Sequence, residues 1–185
     1  MDASAGKRTY RDLQQHLEEL KARDLLYVID EPVNKDTEMS ALVRWQFRGG
    51  LREDQRKAFL FNNVTDSKGR KYDIPVVIGA LAANQDIYAT GMDSSVDGIA
   101  AKWDHAIANP VKPRLVNEAP CQDVVIEGDD LLAEDGGLVR LPVPLSTPGF
   151  DSTPTLAATN VITRNPDTGT QNMGTYRAGL KSSNR

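Results

Sequence analysis

Cysteine and histidine are scarce in this 185-residue chain, which holds one cysteine, Cys121, and two histidines, His16 and His105. A single cysteine excludes an internal disulfide and agrees with a reducing compartment. So few imidazoles and thiols disfavour a zinc site made by this chain alone. A buried, inert thiol is a simpler interpretation of Cys121 than a Cys–His nucleophile pair.

Excess positive charge and long apolar runs are also missing. The net charge is −4 and the pI about 5.2, so the sequence gives no sign of the excess positive charge that binds nucleic acid or an anionic membrane. Residues 1–7 lack the apolar core of a signal peptide, and no apolar run approaches membrane-spanning length. We therefore expect a cytoplasmic protein with no nucleic-acid partner and no membrane span.

Two common sources of catalytic chemistry are absent as motifs. The sequence contains no Gly-rich phosphate loop of the Walker or Rossmann type, and no Gly-x-Ser-x-Gly nucleophile motif. Hydrophobic residues make up 39% and charged residues 26%, which is ordinary for a globular protein. The length allows one larger domain, or one and a half smaller ones.

The first part of the chain alternates between helix and strand patterns. Apolar residues at three- and four-residue spacing predict a first helix, capped by Thr9 and Asp12 in a capping-box pattern: Tyr10, Leu13, Leu17 and Leu20. Beyond it the pattern predicts a strand over 25–29, a helix over 39–47, strands over 58–64 and 74–79, a short helix capped by Asn84, and a helix over 94–108. This order indicates an α/β domain.

Two prolines, Pro110 and Pro113, interrupt the pattern and place a domain boundary at about 110–122. We expect an N-terminal α/β domain over residues 1–115 and a second domain over 116–185. The second domain has β patterns, with a strand over 123–127. Residues 141–149 contain too many prolines for a central strand and predict a buried, stiff connection.

The most informative segment is a predicted hairpin, with strands over 155–163 and 170–179 joined by a Pro-Asp-x-Gly turn. Its second strand carries an amide, a hydroxyl, a phenol and a guanidinium, at Asn172, Thr175, Tyr176 and Arg177. These groups suit a phosphate, a metal or a carboxylate. The simpler alternative is a surface hairpin whose polar residues face water.

Strand alternation predicts that Asn172 and Tyr176 share one face, while Thr175 and Arg177 share the other. Asn172 and Arg177 can then meet at one ligand only if the strand is irregular between them. Gly174 is the candidate position, as glycine inside a strand often marks a bulge. We therefore expect a bulge or a strand end at Gly174.

The terminal motif resembles the signature strand of the UbiD-type decarboxylases, which use prenylated FMN. The residues that carry this likeness are Asn165-Pro166-Asp167-Thr168-Gly169-x-Gln171-Asn172-Met173-Gly174-x-Tyr176-Arg177. Upstream, residues 12–13, 58–64, 75–77 and 141–144 are also similar to family segments. The resemblance therefore spans nearly the whole chain.

The resemblance implies an α/β N-terminal domain followed by the first strands of a split β-barrel (flavin-reductase-like). Family members reversibly decarboxylate aromatic, heteroaromatic or α,β-unsaturated carboxylic acids. The implied cofactors are prenylated FMN and Mn²⁺, with K⁺ as a further candidate ion. The implied assembly is a homo-oligomer when the protein is full length.

Residue roles follow from the motif match. Asn172 resembles the asparagine that ligates the Mn²⁺ bridging protein and cofactor phosphate. Thr175, Tyr176 and Arg177 resemble the segment that contacts the prenylated flavin. Arg177 also resembles the active-site arginine that interacts with the substrate-side glutamates, and is thus the candidate catalytic residue.

The sequence departs from the family pattern in two ways. Family members carry their histidine and glutamate metal ligands, and their acid/base carboxylates, downstream of this motif, and no residue of this sequence occupies those positions. Leu145-Ser146-Thr147-Pro148 stands where a histidine often lies. We therefore expect the N-terminal portion of such a decarboxylase, inactive alone, whose partner is the remainder of the chain or a complementary subunit. The alternatives are a non-catalytic flavin- or phosphate-binding module, and an interaction subunit of a split decarboxylase.

Overall fold

The computed structural model describes residues 10–112 and 114–185. The helices of this part are α1 (Leu13–Ala22), α2 (Met39–Arg48), α3 (Gln85–Gly91) and α4 (Ile99–Ala108). The strands are β1 (Leu26–Ile29), β2 (Val33–Asn34), β3 (Ala58–Phe61), β4 (Val64–Thr65), β5 (Lys71–Tyr72), β6 (Val76–Ile78), β7 (Thr155–Arg164) and β8 (Gln171–Gly179). The predicted mixture of helices and strands is confirmed. None of the helices in the described part is both long and apolar enough to cross a membrane.

The chain forms two compact units that interleave along the sequence. The first consists of the described parts of Met1–Glu31, Val43–Asn62 and Val76–Pro120. The second consists of Pro32–Leu42, Asn63–Pro75 and the described part of Cys121–Arg185. Short segments of the first 75 residues thus pack with the later part of the chain.

The first unit is built on a three-stranded sheet with the order β1-β3-β6. β1 and β3 are parallel, with Leu26 opposite Ala58, whereas β3 and β6 are antiparallel, with Phe61 opposite Val76. The core of this unit joins the sheet to α1, α3 and the residues before α3: Leu20, Leu26, Ala58, Ala80, Ala83 and Ile87. Burial of these side chains supplies the main stabilisation of the unit.

Helix caps explain where α1 and α3 begin. The Asp12 carboxylate accepts a hydrogen bond from the Gln15 amide (2.9 Å), so Asp12 is the N-cap of α1. The capping box predicted here placed Asp12 inside the helix, which is wrong; Thr9 lies outside the described residues. Asn84 caps α3 as predicted, since its side-chain oxygen accepts from the Ile87 amide (2.7 Å).

The second unit contains a small sheet with the order β2-β4-β5, in which Val33 pairs with Val64 and Val64 pairs with Tyr72. The buried Lys35 follows β2 and forms an ion pair with Asp36 (2.6 Å). Next to it, the Tyr72 hydroxyl donates to Asp66 Oδ2 (3.1 Å). Burial and this hydrogen bond together raise the pKa of Tyr72 to about 12.

This shift predicts a loss of stability in alkali. The folded-state pKa of Tyr72 lies above its ordinary value of 10.0, so the stabilisation is complete below pH 10 and is lost as the pH rises toward about 12. The free energy of unfolding of the native chain should therefore fall more steeply over this window than that of Tyr72→Phe. Urea unfolding at several pH values checks this, and parallel profiles for the two proteins would contradict it.

Residues 141–149 form a connection with no strand, as predicted, but the expected burial holds only for Pro142 and Val143, since both ends of the segment are exposed. The Leu145 amide donates to the Lys35 carbonyl (3.3 Å), and the Leu145 carbonyl accepts from Ser40 Oγ (2.9 Å). The Thr155 amide donates to the Pro144 carbonyl (3.2 Å), which fixes the start of β7. Within the second unit, the connection therefore links the start of the hairpin to the segment that follows β2.

Two predictions for residues 116–140 are wrong. The expected strand over 123–127 is absent, and short 3₁₀ helices flank this segment at Pro120–Gln122 and Gly128–Leu132. Val124 and Val125 are exposed to solvent and do not pack against a neighbouring strand. Because strand propensity depends on such packing, these valines do not form a strand here. Cys121 is exposed rather than buried.

Candidate functional site

The turn between β7 and β8 sets the register of the hairpin. Asn165 Oδ1 accepts hydrogen bonds from the amides of Asp167 (2.8 Å) and Thr168 (2.9 Å). Gly169 has a φ of +70°, a conformation that side chains disfavour. The Asn165 amide then donates to the Thr170 carbonyl (2.9 Å) and closes the turn. The Asn-Pro-Asp-x-Gly sequence thus dictates which residues of the two strands face each other.

The strand that carries the predicted site residues is regular at Gly174, contrary to prediction. Gly174 pairs with Val161 in unbroken register between the Met173–Ile162 and Thr175–Asn160 pairs. The irregularity lies in the opposite strand, between Leu156 and Thr159, where the register shifts. This shift lies across from Arg177, so the bulge adjoins the predicted site from the β7 side.

One face of the hairpin carries Asn172 and Tyr176, both exposed. The Tyr176 ring lies over Gly174, because a Cβ added at Gly174 would stand 2.5 Å from Cε2 of that ring. Glycine is therefore needed here for close approach of the phenol ring and not for a bulge. Thr159, which pairs with Tyr176, has a buried hydroxyl oxygen with no hydrogen-bond partner.

The other face carries Thr175 and Arg177. The Thr175 hydroxyl donates to Asn160 Oδ1 across the strands (3.4 Å). Arg177 Nη2 lies 3.8 Å from Asp151 Oδ2, and this carboxylate oxygen is buried without a hydrogen-bond partner. Asn172 and Arg177 therefore point to opposite sides of the hairpin, and the structure does not bring them together.

The sequence motif did not identify the neighbouring residues that contact Thr175, Tyr176 and Arg177. Asp151 belongs to the loop before β7, and Thr159 and Asn160 belong to β7. Their contacts with the motif depend on the turn and the bulge, which set the register. The register set by the Asn-Pro-Asp-x-Gly turn could have indicated that Asn160 lies opposite Thr175 and shares its face.

The donor set limits what metal these residues can hold. The amide oxygen of Asn172 is a hard ligand of the kind that Mn²⁺ or Mg²⁺ accepts in an oxygen-rich shell. Within residues 10–112 and 114–185, no group of three or more histidine, cysteine, aspartate or glutamate side chains is placed to hold a metal ion. Asn172 therefore fits a metal as one ligand, and the remaining ligands would have to come from outside this set of side chains.

Comparison with protein families gives two matches that together cover most of the chain. Residues 17–107 match the 3-octaprenyl-4-hydroxybenzoate carboxy-lyase N-terminal domain. Residues 114–185 match the Rift-related domain of the same carboxy-lyase. The second match contains the entire hairpin.

Solved structures of UbiD-class enzymes are similar to the chain. HmfF from Pelotomaculum thermopropionicum in complex with FMN matches with 29% identity and a TM-score of 0.74, over 92% of this chain and 35% of that chain. An evolved dimeric form of HmfF in complex with prFMN matches with 28% identity and a TM-score of 0.76, over 94% of this chain and 37% of that chain.

The apo structure of the 3,4-dihydroxybenzoic acid decarboxylases from Enterobacter cloacae matches with 26% identity and a TM-score of 0.75, over 93% of this chain and 35% of that chain. The chain therefore spans little more than a third of the length of these solved relatives.

Proposed function

Since the chain belongs to the UbiD family of carboxy-lyases, we propose that it provides one wall of the active site of a decarboxylase. The proposed reaction is reversible loss of CO₂ from an aromatic or α,β-unsaturated carboxylic acid. The proposed cofactors are prenylated FMN and Mn²⁺, with K⁺ as a further candidate ion. The flavin assignment is supported by similarity to enzymes that were solved with FMN and prFMN.

The observation that carries this proposal is a set of polar groups on the hairpin that includes buried oxygen atoms without hydrogen-bond partners. Polar side chains lie on both faces of β8, and a buried oxygen without a partner lies beside each face, at Thr159 and Asp151. Buried polar atoms are nearly always satisfied, so each exception needs an explanation. A ligand or a further protein segment at the hairpin supplies one for Thr159, whereas Asp151 lies 3.8 Å from the Arg177 guanidinium.

We propose that the ligands lie along the outer edge of β8. Within the described residues β8 pairs only with β7, so this edge is free of other strands. A ligand over one face could reach Asn172 and Tyr176, or Thr175 and Arg177, but not both pairs. A ligand group at the edge is accessible to side chains from both faces.

Each side chain has a role that suits its chemistry. In the proposed site, Asn172 would supply its amide oxygen as a metal ligand, and Thr175 and Tyr176 would contact the cofactor through their hydroxyl groups. Arg177 holds a carboxylate in a fixed orientation, because its guanidinium keeps its charge and presents several N–H donors. Prenylated FMN supplies, when bound, the capacity to accept the electron pair left when CO₂ departs.

The remaining components are proposed to come from further protein, on the same polypeptide or on a complementary subunit. These are the general acid/base carboxylates and the other metal ligands. We also propose a domain boundary between residues 115 and 116 and a split β-barrel in the second domain. The full-length protein is proposed to be a cytoplasmic homo-oligomer. The interaction-subunit alternative is favoured by the exposed Ile162–Met173 pair on the hairpin, which another strand or helix could cover.

The proposal predicts that CO₂ release requires the complete enzyme. Loaded with prenylated FMN and Mn²⁺, the complete enzyme should release CO₂ from at least one member of a panel of benzoic, heteroaromatic and cinnamic acids. The 185-residue chain with the same cofactors should release none, since it lacks the proposed acid/base groups. Headspace analysis with ¹³C-carboxyl substrates measures both.

Three outcomes separate the alternatives. Turnover by the 185-residue chain alone would contradict the division of the active site. An inactive complete enzyme that still perturbs the visible spectrum of FMN would indicate a non-catalytic flavin-binding module. Absence of CO₂ release and of any change in the FMN spectrum, together with a complex of higher mass on size exclusion, would indicate an interaction subunit.

A further inference from the structure

Asp151 lies where the chain folds back along the end of β8. The Asp151 amide donates to the Thr147 carbonyl (2.9 Å), and the Leu180 amide donates to the Pro154 carbonyl (2.9 Å). Thr153 Oγ1 would stand 3.0 Å from a Cβ added at Gly179. The backbone on both sides of Asp151 is thus fixed against the last residues of β8.

The side chain of Asp151 meets Arg177 on this face. Oδ2 of Asp151 lies 3.8 Å from Nη2 of Arg177, and the two side chains are 27% and 61% exposed. The same oxygen is buried and accepts no hydrogen bond. A shielded carboxylate oxygen without a nearby positive charge is costly, so the guanidinium is the group that compensates it.

We propose that Asp151 is a positioning residue that fixes the orientation of the Arg177 guanidinium for carboxylate binding. The inference rests on the proposed function, since it assigns a supporting residue to Arg177. At 3.8 Å the contact is an ion pair and not a hydrogen bond, so the N–H donors of Arg177 stay available for a ligand. The Asp151 charge lies on the inner side of the guanidinium, and the exposed side presents those donors.

The contact itself can be tested on the 185-residue chain without any cofactor. In ¹H–¹⁵N spectra, the Arg177 Nε–Hε signal should move in Asp151→Asn, which keeps the shape of the side chain and removes its charge. It should stay in place in Asp167→Asn, which removes a charge from the exposed turn of the same hairpin. Asp151→Glu provides a second variant that keeps the charge but displaces it. An Arg177 signal that is unaffected by both Asp151 variants overturns the proposal.

Kinetics of the complete enzyme then test the role of the contact. Small misplacement of a reacting group can reduce the rate by about 100-fold, so Asp151→Asn should lower kcat by about 10- to 100-fold. The KM should change less, because Arg177 and its charge are still present. Asp151→Glu should recover part of kcat, which a purely structural role of the side chain would not predict.

The outcomes distinguish this inference from the proposed function. If Arg177→Lys has reduced activity while Asp151→Asn retains native kcat, Asp151 is not a positioning residue and the role of Arg177 stands. If Arg177→Lys retains native activity, the proposed role of Arg177 is wrong and the catalytic part of this inference falls with it. A moved NMR signal together with a reduced kcat supports the proposal.

Discussion

We expect the replacement of Arg177 with glutamine to lower kcat/KM of the proposed complete decarboxylase by about 100- to 1,000-fold, on the scale measured when a single charge-stabilising donor is removed from an active site. In the proposed site this charge orients the substrate carboxylate and the neighbouring acidic side chains, so its loss should raise the barrier to decarboxylation. Arg177→Lys should recover only part of the activity, since lysine keeps the charge but not the planar set of donors. Steady-state CO₂ release measures the effect.

Arg164 provides the matched control for this experiment. It is an exposed arginine on the same hairpin, at the end of β7, with Nη2 3.5 Å from Gln171 Oε1. Arg164→Gln removes the same charge from the hairpin and should leave kcat/KM within about two-fold, because exposed side chains away from a site have small effects. Equal losses in the two variants would show that only the net charge of the hairpin matters.

Replacing Asn172 with leucine should weaken Mn²⁺ binding by the complete enzyme by about 100-fold or more. Residues that merely support metal ligands contribute about 10- to 100-fold in affinity, and a direct ligand should contribute no less. Leucine has nearly the shape of asparagine and lacks the oxygen. Titration of free Mn²⁺ by electron paramagnetic resonance measures the affinity.

The control for Asn172 is its neighbour Gln171. Gln171→Leu also removes one amide from β8, but from the opposite face of the strand. It should leave the Mn²⁺ affinity unchanged. An equal loss of affinity in both variants would contradict a direct role for Asn172 and indicate general damage to the strand.

Local sequence signals predicted the elements that depend on neighbouring residues. The hairpin follows from its Asn-Pro-Asp-x-Gly turn, in which Asn165 accepts two amide hydrogen bonds and Gly169 adopts a positive φ. The start of α3 follows from the Asn84 cap. The family follows from the motif on β8, and the two family matches confirm it.

Features that depend on distant residues could not be predicted. The interpretation of Gly174 as a bulge was wrong because the space beside a glycine can be used in more than one way, and here the Tyr176 ring occupies it. The bulge lies instead in β7, where no glycine marks it. The ion pair between Arg177 and Asp151 depends on how the proline-rich connection folds back, and sequence spacing does not indicate this.

The roles assigned to Asn172, Thr175, Tyr176 and Arg177 remain predictions. β8 pairs regularly from Gln171 to Tyr176, and its alternation places the four residues on two faces, which changes the expected position of the ligand from one face to the open edge of the strand. A site at that edge requires further protein to enclose it, which agrees with the share of the solved relatives that the chain covers. The central claim is thus that the hairpin forms one wall of a metal and flavin site.

Electron–nuclear double resonance of Mn²⁺ in the complete enzyme, loaded with prenylated FMN and labelled with ¹³C in asparagine, tests this claim most directly. We predict a ³¹P coupling from the cofactor phosphate, together with a ¹³C coupling that disappears in Asn172→Leu and persists in Gln171→Leu. A ³¹P coupling accompanied by a ¹³C coupling that survives in Asn172→Leu, or by none in the native enzyme, would contradict the claim.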